Sequence, residues 1–558
     1  MTDTSKASPP PARRGIFSPL GHAVFRRIWF ASLTSNLGLM VMGVGAAWAM
    51  TEMTNSPEMV ALVQASLMLP IALVSAPAGA AADMFDRRIV SLIALTISFT
   101  GACVMTLLAW QGALSPAGLL AFCFVIGCGM ALMGPSWQAS VSEQVPAQDL
   151  PAAVALNGIS WNLARSFGPA IGGAIVAAFG ATAAFANNAL FYVPLMVVLF
   201  MWRRVREPSR LPPERLARAV VSGVRYIAYS LPIRIVLIRT MVTGVLGGSI
   251  LALMPIVTRE LLNGNARDFG VMLGAFGVGA VIGALNVSNL SSRLGAESAI
   301  RLSAVAMGAG IAVVAASHSK IASGVALMVT GAGWTASVTL FNVGIQLVAP
   351  RWVSGRALAA FQASISGGVA VGAGLWGATA KAIGVSDALL VASFGLALSA
   401  ALGRWMRMPQ VKGPTEQTLE DLEDPEMRLQ LTARSGPIVV EIEYRVDPRQ
   451  ARLYYAVMQQ VQHSRQRNGA YGWSIARDIA DPELWTERYH CPTWLDYLRQ
   501  RNRPTDAERA LHMRAQEFHI GSEPIRIRRM LERPVGSVRW KDETPDRSGA
   551  GEATMVGP

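Results

Sequence analysis

The sequence predicts an α-helical polytopic membrane protein: about twelve transmembrane helices in two six-helix repeats, followed by an α+β ferredoxin-like domain. Three observations carry this. Of 558 residues, 52% are hydrophobic and only 15% are charged, against roughly 25% charged in soluble domains. Runs of about 20 apolar residues, the length that crosses a bilayer, recur as far as about residue 405. The stretch 127–180 also returns 204 positions later. Gly127, Gly129, Pro146, Gly168, Gly173 and Gly180 are matched by Gly331, Gly333, Pro350, Gly372, Gly377 and Gly384, and Gly43 and Gly79 by Gly247 and Gly283. A parallel internal repeat of a multi-helix membrane unit is a transporter signature.

In chain order, residues 1–22 read as a disordered, Pro-rich N-terminus. They contain no short apolar region with a cleavage site, so the first apolar run is expected to stay as a span. Residues 23–203 form the first bundle, with helices near 28–50, 58–82, 89–110, 116–141, 154–179 and 182–202. Residues 204–231 are a basic linker. Its part ERLARAVVSGVRYIAYS has apolar residues at helical spacing and reads either as an amphipathic helix lying on the membrane surface or as a solvated linker. Residues 232–408 form the second bundle, with helices near 232–256, 269–290, 299–317, 321–347, 357–382 and 386–404.

Arg and Lys concentrate in alternate loops, which puts both termini in the cytoplasm; Arg259, Arg267, Lys320 and Lys381 are exceptions on the opposite side. That placement also explains the net charge of +13 without nucleic acid. The four cysteines, three of them in apolar spans, suggest no disulfide framework.

Residues 409–435 are an acidic linker, and 436–534 change character. GPIVVEIEYRV alternates, with Ile438, Val440, Ile442 and Tyr444 on one face, as a half-buried strand does. Asp447-Pro448 opens a helix with Tyr454, Met458 and Val461 on one side, and Gly469 stops it. Two strands, a helical region from Thr493 and a last strand in PIRIRRML complete a β-α-β-β-α-β order. Residues 535–558 read as disordered.

Several residues carry chemistry. In GAAADMFDRR, Gly79, Asp83, Asp86, Arg87 and Arg88 make a tight charged turn after the second helix. Asp83 can face a neighbouring helix N-terminus, and Arg87 and Arg88 can pair with acids on the facing half. Such a cluster works as a gate or merely sets topology. Gly168, Pro169, Gly172 and Gly173 allow close, bendable helix packing. Arg165 lies in the same apolar helix. It binds an anionic group, pairs with an acid at a helix end, or reaches the headgroups. Asn36, Gln64, Gln138, Trp161, Asn342 and Gln346 are candidates to line a central cavity with Arg165, or to bond between helices. No Asp or Glu stands in the middle of a span, which leaves the coupling ion open.

Gly79, Asp83, Arg87 and Arg88 resemble the loop 2–3 motif of the major facilitator superfamily, with Asp86 where a glycine is usual. The Asp-Arg-Arg form and LNGISWNLARSFGPAIGG look like the subgroup of the enterobactin exporter and the transmembrane secretion effectors. The resemblance covers about residues 15–408 and implies an exporter of two six-helix halves. Gly158, Gly168, Pro169, Gly172 and Gly173 partly match the family's antiporter motif, with Ala164 in place of a glycine. The C-terminal region resembles an antibiotic-biosynthesis-monooxygenase-like dimeric barrel, with His490, Trp473, Trp494 and His519 as candidate pocket residues.

The expectation is a secondary active exporter of the bacterial inner membrane. It carries a small amphipathic molecule such as a siderophore or antibiotic, needs no cofactor or metal, and has lipids as partners and a dimer through its C-terminal domain as a further one. A lipid or lysophospholipid mover of the same fold, and a membrane-tethered enzyme with a redox-active tail, are the alternatives. No Walker A loop supports ATP-driven transport.

Overall fold

A computed structural model describes residues 17–202, 216–409, 429, 431–502 and 505–532. The N-terminus to residue 16, the basic stretch 203–215, the acidic linker 410–428 and the end from 533 lie outside the described residues. The chain forms two compact units. The first takes the described residues up to Leu216 with Ile235–Gly344 and Leu358–Met408; the second takes Ala217–Arg234, Ile345–Ala357 and the described residues from Pro409.

The helices through the first bundle are α1 (Ala23–Met53), α2 (Pro57–Met84), α3 (Arg87–Trp110), α4 (Pro116–Ser140) and α5 (Leu150–Met201). The linker helix α6 (Leu216–Tyr229) follows. The second bundle has α7 (Leu231–Ile256), α8 (Ala266–Leu294), α9 (Ala296–Ala316), α10 (Lys320–Val348), α11 (Arg351–Ile383) and α12 (Val385–Ser399). Among the described residues, eleven helices are long and apolar enough to cross a membrane.

One of the eleven runs 50 residues. At 1.5 Å per residue that is about 75 Å, more than twice the hydrocarbon thickness, so it cannot be one span. Gly180, at φ 80°, ψ 170°, breaks it into arms 150–179 and 181–201. Its repeat mate Gly384, at φ 93°, parts α11 from α12. Only glycine takes this backbone readily. Twelve spans result among the described residues, as the sequence predicts.

Helix starts follow local chemistry. Pro57 and Pro116 stand in first turns, where a missing N–H costs nothing. Ser115 accepts from the Gly118 amide at 3.1 Å. Asn265 and Asp268 form a capping box at α8.

The repeat is visible in packing. Gly127 of α4 lies against Leu67 and Pro70 of α2, and Gly331 of α10 against Phe276 of α8. Gly129 lies against Ala94 and Ser98 of α3, and Gly333 against Ser303 and Met307 of α9. Gly173 of α5 meets Gly270 of α8, and Gly377 of α11 meets Glu58 and Ala61 of α2. These last two seams join the halves. Buried residues of both halves, among them Trp48, Phe185, Met254, Phe269 and Leu389, form one apolar cluster.

In the second unit, β1 (Ile438–Arg445), α13 (Ala451–Arg467), β2 (Tyr471–Arg477), β3 (Leu484–Cys491), α14 (Trp494–Asn502), α15 (Asp506–Gln516) and β4 (Arg526–Leu531) follow in order. The sheet runs β2-β3-β1-β4, with every neighbouring pair antiparallel. The result is a small antiparallel four-stranded sheet with helices between its strands. The expected single second helix is two: Thr505 and Glu508 form a capping box that starts α15 afresh. Ile438, Val440, Ile442 and Tyr444 are buried with Tyr454, Met458 and Val461, as their spacing predicts. Gly469 ends α13 at φ 115°.

Candidate transport site

The first arm of α5 organises the middle of the first unit. Successive small residues let it touch two helices. An added Cβ at Gly168 would lie 2.5 Å from Met40 Cβ of α1, and one at Gly172 3.0 Å from Val41 Cα. A Cβ at Gly173 would lie 2.7 Å from Gly270 Cα of α8. Ser166 donates its hydroxyl to the Gly277 carbonyl at 3.2 Å. Arg165 projects between these two contact faces. Its guanidinium lies 5.5 Å from the centroid of the Phe276 ring of α8, and among the described residues no carboxylate pairs with it.

Trp161 stands one turn before Arg165 on the same side of α5 and is 40% exposed. Asn36 of α1 donates to Ser160 Oγ at 3.4 Å, a bond between helices. Gln64 and Asn342 are partly buried; Gln138 and Gln346 are exposed, and Gln346 belongs to the second unit. Asn342 and Gln346 have partners of their own.

In the loop between α2 and α3, Asp86 is the N-cap of α3 and accepts from the Arg88 amide at 2.9 Å. A carboxylate in place of the usual glycine therefore has a local use. Arg87 pairs with Glu143 at 2.8 Å. Arg88 donates to the carbonyls of Leu199 and Phe200 at 2.8 and 2.5 Å, at the end of α5. The last carbonyls of a helix lack intrahelical partners and attract cations, so Arg88 turns to its own half rather than to an acid of the facing one. Gly79 has open space around its Cα. The side chain of Asp83 lies outside the described residues.

The side chains of three of the four charges that break the loop alternation have partners. Lys381 of α11 pairs with Glu58 of α2 at 3.0 Å, Lys320 pairs with Asp268 at 2.8 Å, and Arg259 donates to the Thr51 carbonyl. Trp48 of α1 stacks on Phe269 of α8 at 6.1 Å. The Lys381–Glu58, Arg259–Thr51 and Trp48–Phe269 contacts join the halves, from the middle of the spans to the ends with Arg-poor loops, whereas Lys320–Asp268 lies within the second half.

Arg239 of α7 is a buried charge, 4% exposed. It donates to both oxygens of Glu297, at 2.7 and 3.2 Å, and to the Met406 carbonyl at 3.0 Å. The Met408 amide and Arg301 also donate to Glu297. The exit from the last span is thus fixed to α7 and α9. Neither partner alone signals this; Glu297 reads as an ordinary first-turn acid. A similar missed cluster joins Ser18 and His22 to the buried Asp149, at 2.8 and 2.9 Å.

The candidate pocket residues of the C-terminal domain do not converge. His490 faces one side of the sheet, beside Tyr471 at 5.4 Å. Trp473 donates to Glu487 on the helix-covered side at 3.0 Å. Trp494 lies tilted against Tyr497 at 5.2 Å, and His519 accepts from the Arg445 amide at 2.9 Å.

The sequence profile of the transmembrane secretion effector family matches residues 14–535. The chain is 23% identical over 278 residues to the staphyloferrin A transporter of Staphylococcus aureus, covering 49% of this chain and 68% of that protein. It is 23% identical over 386 residues to the multidrug efflux pump Tap of Mycolicibacterium fortuitum, covering 66% and 92%. Against the MFS-type transporter YfiS of Bacillus subtilis it is 26% identical over 185 residues, covering 32% and 42%. Its fold is similar to that of the nucleoside transporter NupG, with TM-score 0.54 at 12% identity over 69% of this chain and 100% of that one. A bacterial homologue of the lysosomal transporter Spinster gives 0.56 at 13% over 70% and 97%. The multi-span architecture, the doubled six-helix unit and the matched profile agree: this chain belongs to the transmembrane secretion effector family of major facilitator superfamily transporters.

Proposed function

We propose that the chain is a secondary active exporter. It moves a small amphipathic molecule of siderophore or antibiotic type out across the inner membrane by alternating access, with a counter-moving cation and both termini in the cytoplasm. Arg165 carries this reading. A guanidinium within a span is costly and is kept where a partner or cavity needs it. Here the neighbour is an aromatic face on the opposite half, and the counter-charge is left for cargo to supply. A carboxylate or catecholate oxygen pair fits the planar fork, and Trp161 offers a ring beside it.

The relatives' names support cargo of this class, a siderophore in one case and drugs in another. The Arg-rich loops support the orientation. The partial antiporter motif at Gly158, Gly168, Pro169, Gly172 and Gly173 supports antiport. The 79–88 turn serves as the gate on the Arg-rich side, with Asp83 as its acid.

Export by inside-out vesicles, normalised to protein level, tests the reading. Arg165→Lys keeps charge but loses the fork. It is expected to express normally and to lose roughly 10- to 100-fold in transport of a carboxylate siderophore, the worth of about 1.5–3 kcal/mol in charged hydrogen bonds. Arg165→Ala should abolish that transport and affect ethidium less. Full activity of Arg165→Lys on the anionic cargo would sink the binding role.

A further inference from the structure

Helix α6 has two faces of opposite use. Gly223, Tyr226 and Ser230 recur at helical spacing on one side and are buried, Tyr226 to 3% exposure. Val221, Val224, Ala228 and Leu231 recur on the other and are open, with Val221 59%, Val224 60% and Leu231 64% exposed.

The buried side is occupied within its own unit. The Arg467 guanidinium of α13 lies 5.5 Å from the Tyr226 ring centroid and is held by Glu508 of α15. Arg225 donates to the Gly469 carbonyl at 3.4 Å. Arg356, in the first turns of α11, lies across Gly223, where an added Cβ would come within 2.5 Å of its side chain.

The open side has the i, i+3, i+7, i+10 period of an amphipathic helix, and continuity says what covers it. Only Ser230 separates α6 from α7, and the span Leu231–Leu261 begins at once. Leu231 is both the last residue of the stripe and the first of a membrane helix. Val221 stands ten residues away, no more than about 15 Å along a helix. The stripe therefore lies within about 15 Å of the first residue of a span. The segment 216–234 contains Arg218, Arg225 and Arg234 and no acid, which suits anionic headgroups.

We infer that α6 is a two-sided adaptor. Its Val221–Val224–Ala228–Leu231 stripe beds in an anionic lipid surface, while its other side holds the C-terminal domain. That domain is then clamped to the membrane through α6 rather than swinging on its acidic linker. The inference needs only a membrane, not the exporter reading, so the two fail separately.

The test uses the full-length chain, its four native cysteines replaced, one copy per nanodisc containing phosphatidylglycerol, with bimane on Val224→Cys. Ile479→Cys, at a fully exposed position of the C-terminal domain, is the reference. Strong quenching by a shallow lipid-borne nitroxide is expected at Val224, with iodide quenching several-fold weaker than at Ile479. Lipid quenching should fall when phosphatidylcholine replaces the anionic lipid; unchanged quenching would overturn the headgroup-charge part. Iodide access equal to that at Ile479 would show a solvated helix, and shielding from both quenchers would show a protein cover. Either result overturns the inference.

Discussion

At the scale of single residues, buried charges divide by whether the fold gives them a partner. Arg239 has one. Its bidentate pair with Glu297 is shared by two further donors. Removing one partner of such a pair leaves the other stranded, so Arg239→Met is expected to cost about 2–3 kcal/mol, seen as a lowered thermal midpoint in detergent. Adding Glu297→Gln should recover part of the loss; no recovery would mean the pair is not the cause. His512 is the opposite case. Burial, with Arg465 and Arg467 nearby, pulls its pKa down to about 3, and its Nε2 is buried without a partner. The unfolded imidazole takes a proton near pH 6.5, whereas the folded one does so near 3. The neutral form's stability is therefore whole above about pH 6.5 and lost as pH falls toward 3, by about 1.4 kcal/mol per unit. Denaturation of the C-terminal domain, followed by tryptophan fluorescence in the full chain, should become easier between pH 6.5 and 5. His512→Gln should flatten that slope, and an unchanged slope would assign it to other groups.

At the scale of elements, both inter-half seams set a glycine close against the facing helix, and the α2–α11 seam adds an ion pair. Glu58 and Lys381 are exposed, and such pairs contribute at most about 1 kcal/mol. That suits a contact that must release. The α5–α8 seam is backbone against backbone at Gly173 and Gly270, which no side-chain movement can relieve. A Cβ built at Gly274 lies 3.5 Å from Ala170 Cβ, within disulfide reach. Ala170→Cys with Gly274→Cys should therefore cross-link and stop transport until reduced. Gly173→Val should push the helices apart and lower the yield of that bond. An undiminished yield would show that the seam accommodates the branch.

At the scale of the whole molecule, the loop charges assign a direction to the bundle. Cysteines at Thr54 and Ser115 should react with impermeant reagent from outside intact cells, and cysteines at Ser209 and Thr415 should not. Reversed labelling would invert the orientation and exchange the sides of every gate. The exceptions Lys320 and Lys381 do not weaken that assignment, because each is tied to an acid on another helix. A lysine held by a local carboxylate contributes little net charge to its loop.

The sequence by itself determined the spans, their doubling and the alternating strand of the C-terminal domain. These depend on the length and period of apolar runs, and on glycines that recur at one spacing. Gly180 and Gly384 were legible because a positive φ demands a residue type. What only the tertiary structure decided is who meets whom. Arg239 and Arg165 are both cations within apolar helices. Among the described residues, one found Glu297, 58 positions on, and the other the Phe276 ring. The linker helix read as amphipathic, but its spacing could not say that Tyr226 would lie under Arg467, 241 positions further on. Periodicity is a property of the local chain and is written along it. Pairing depends on which helices the fold brings together, and no local pattern encodes that.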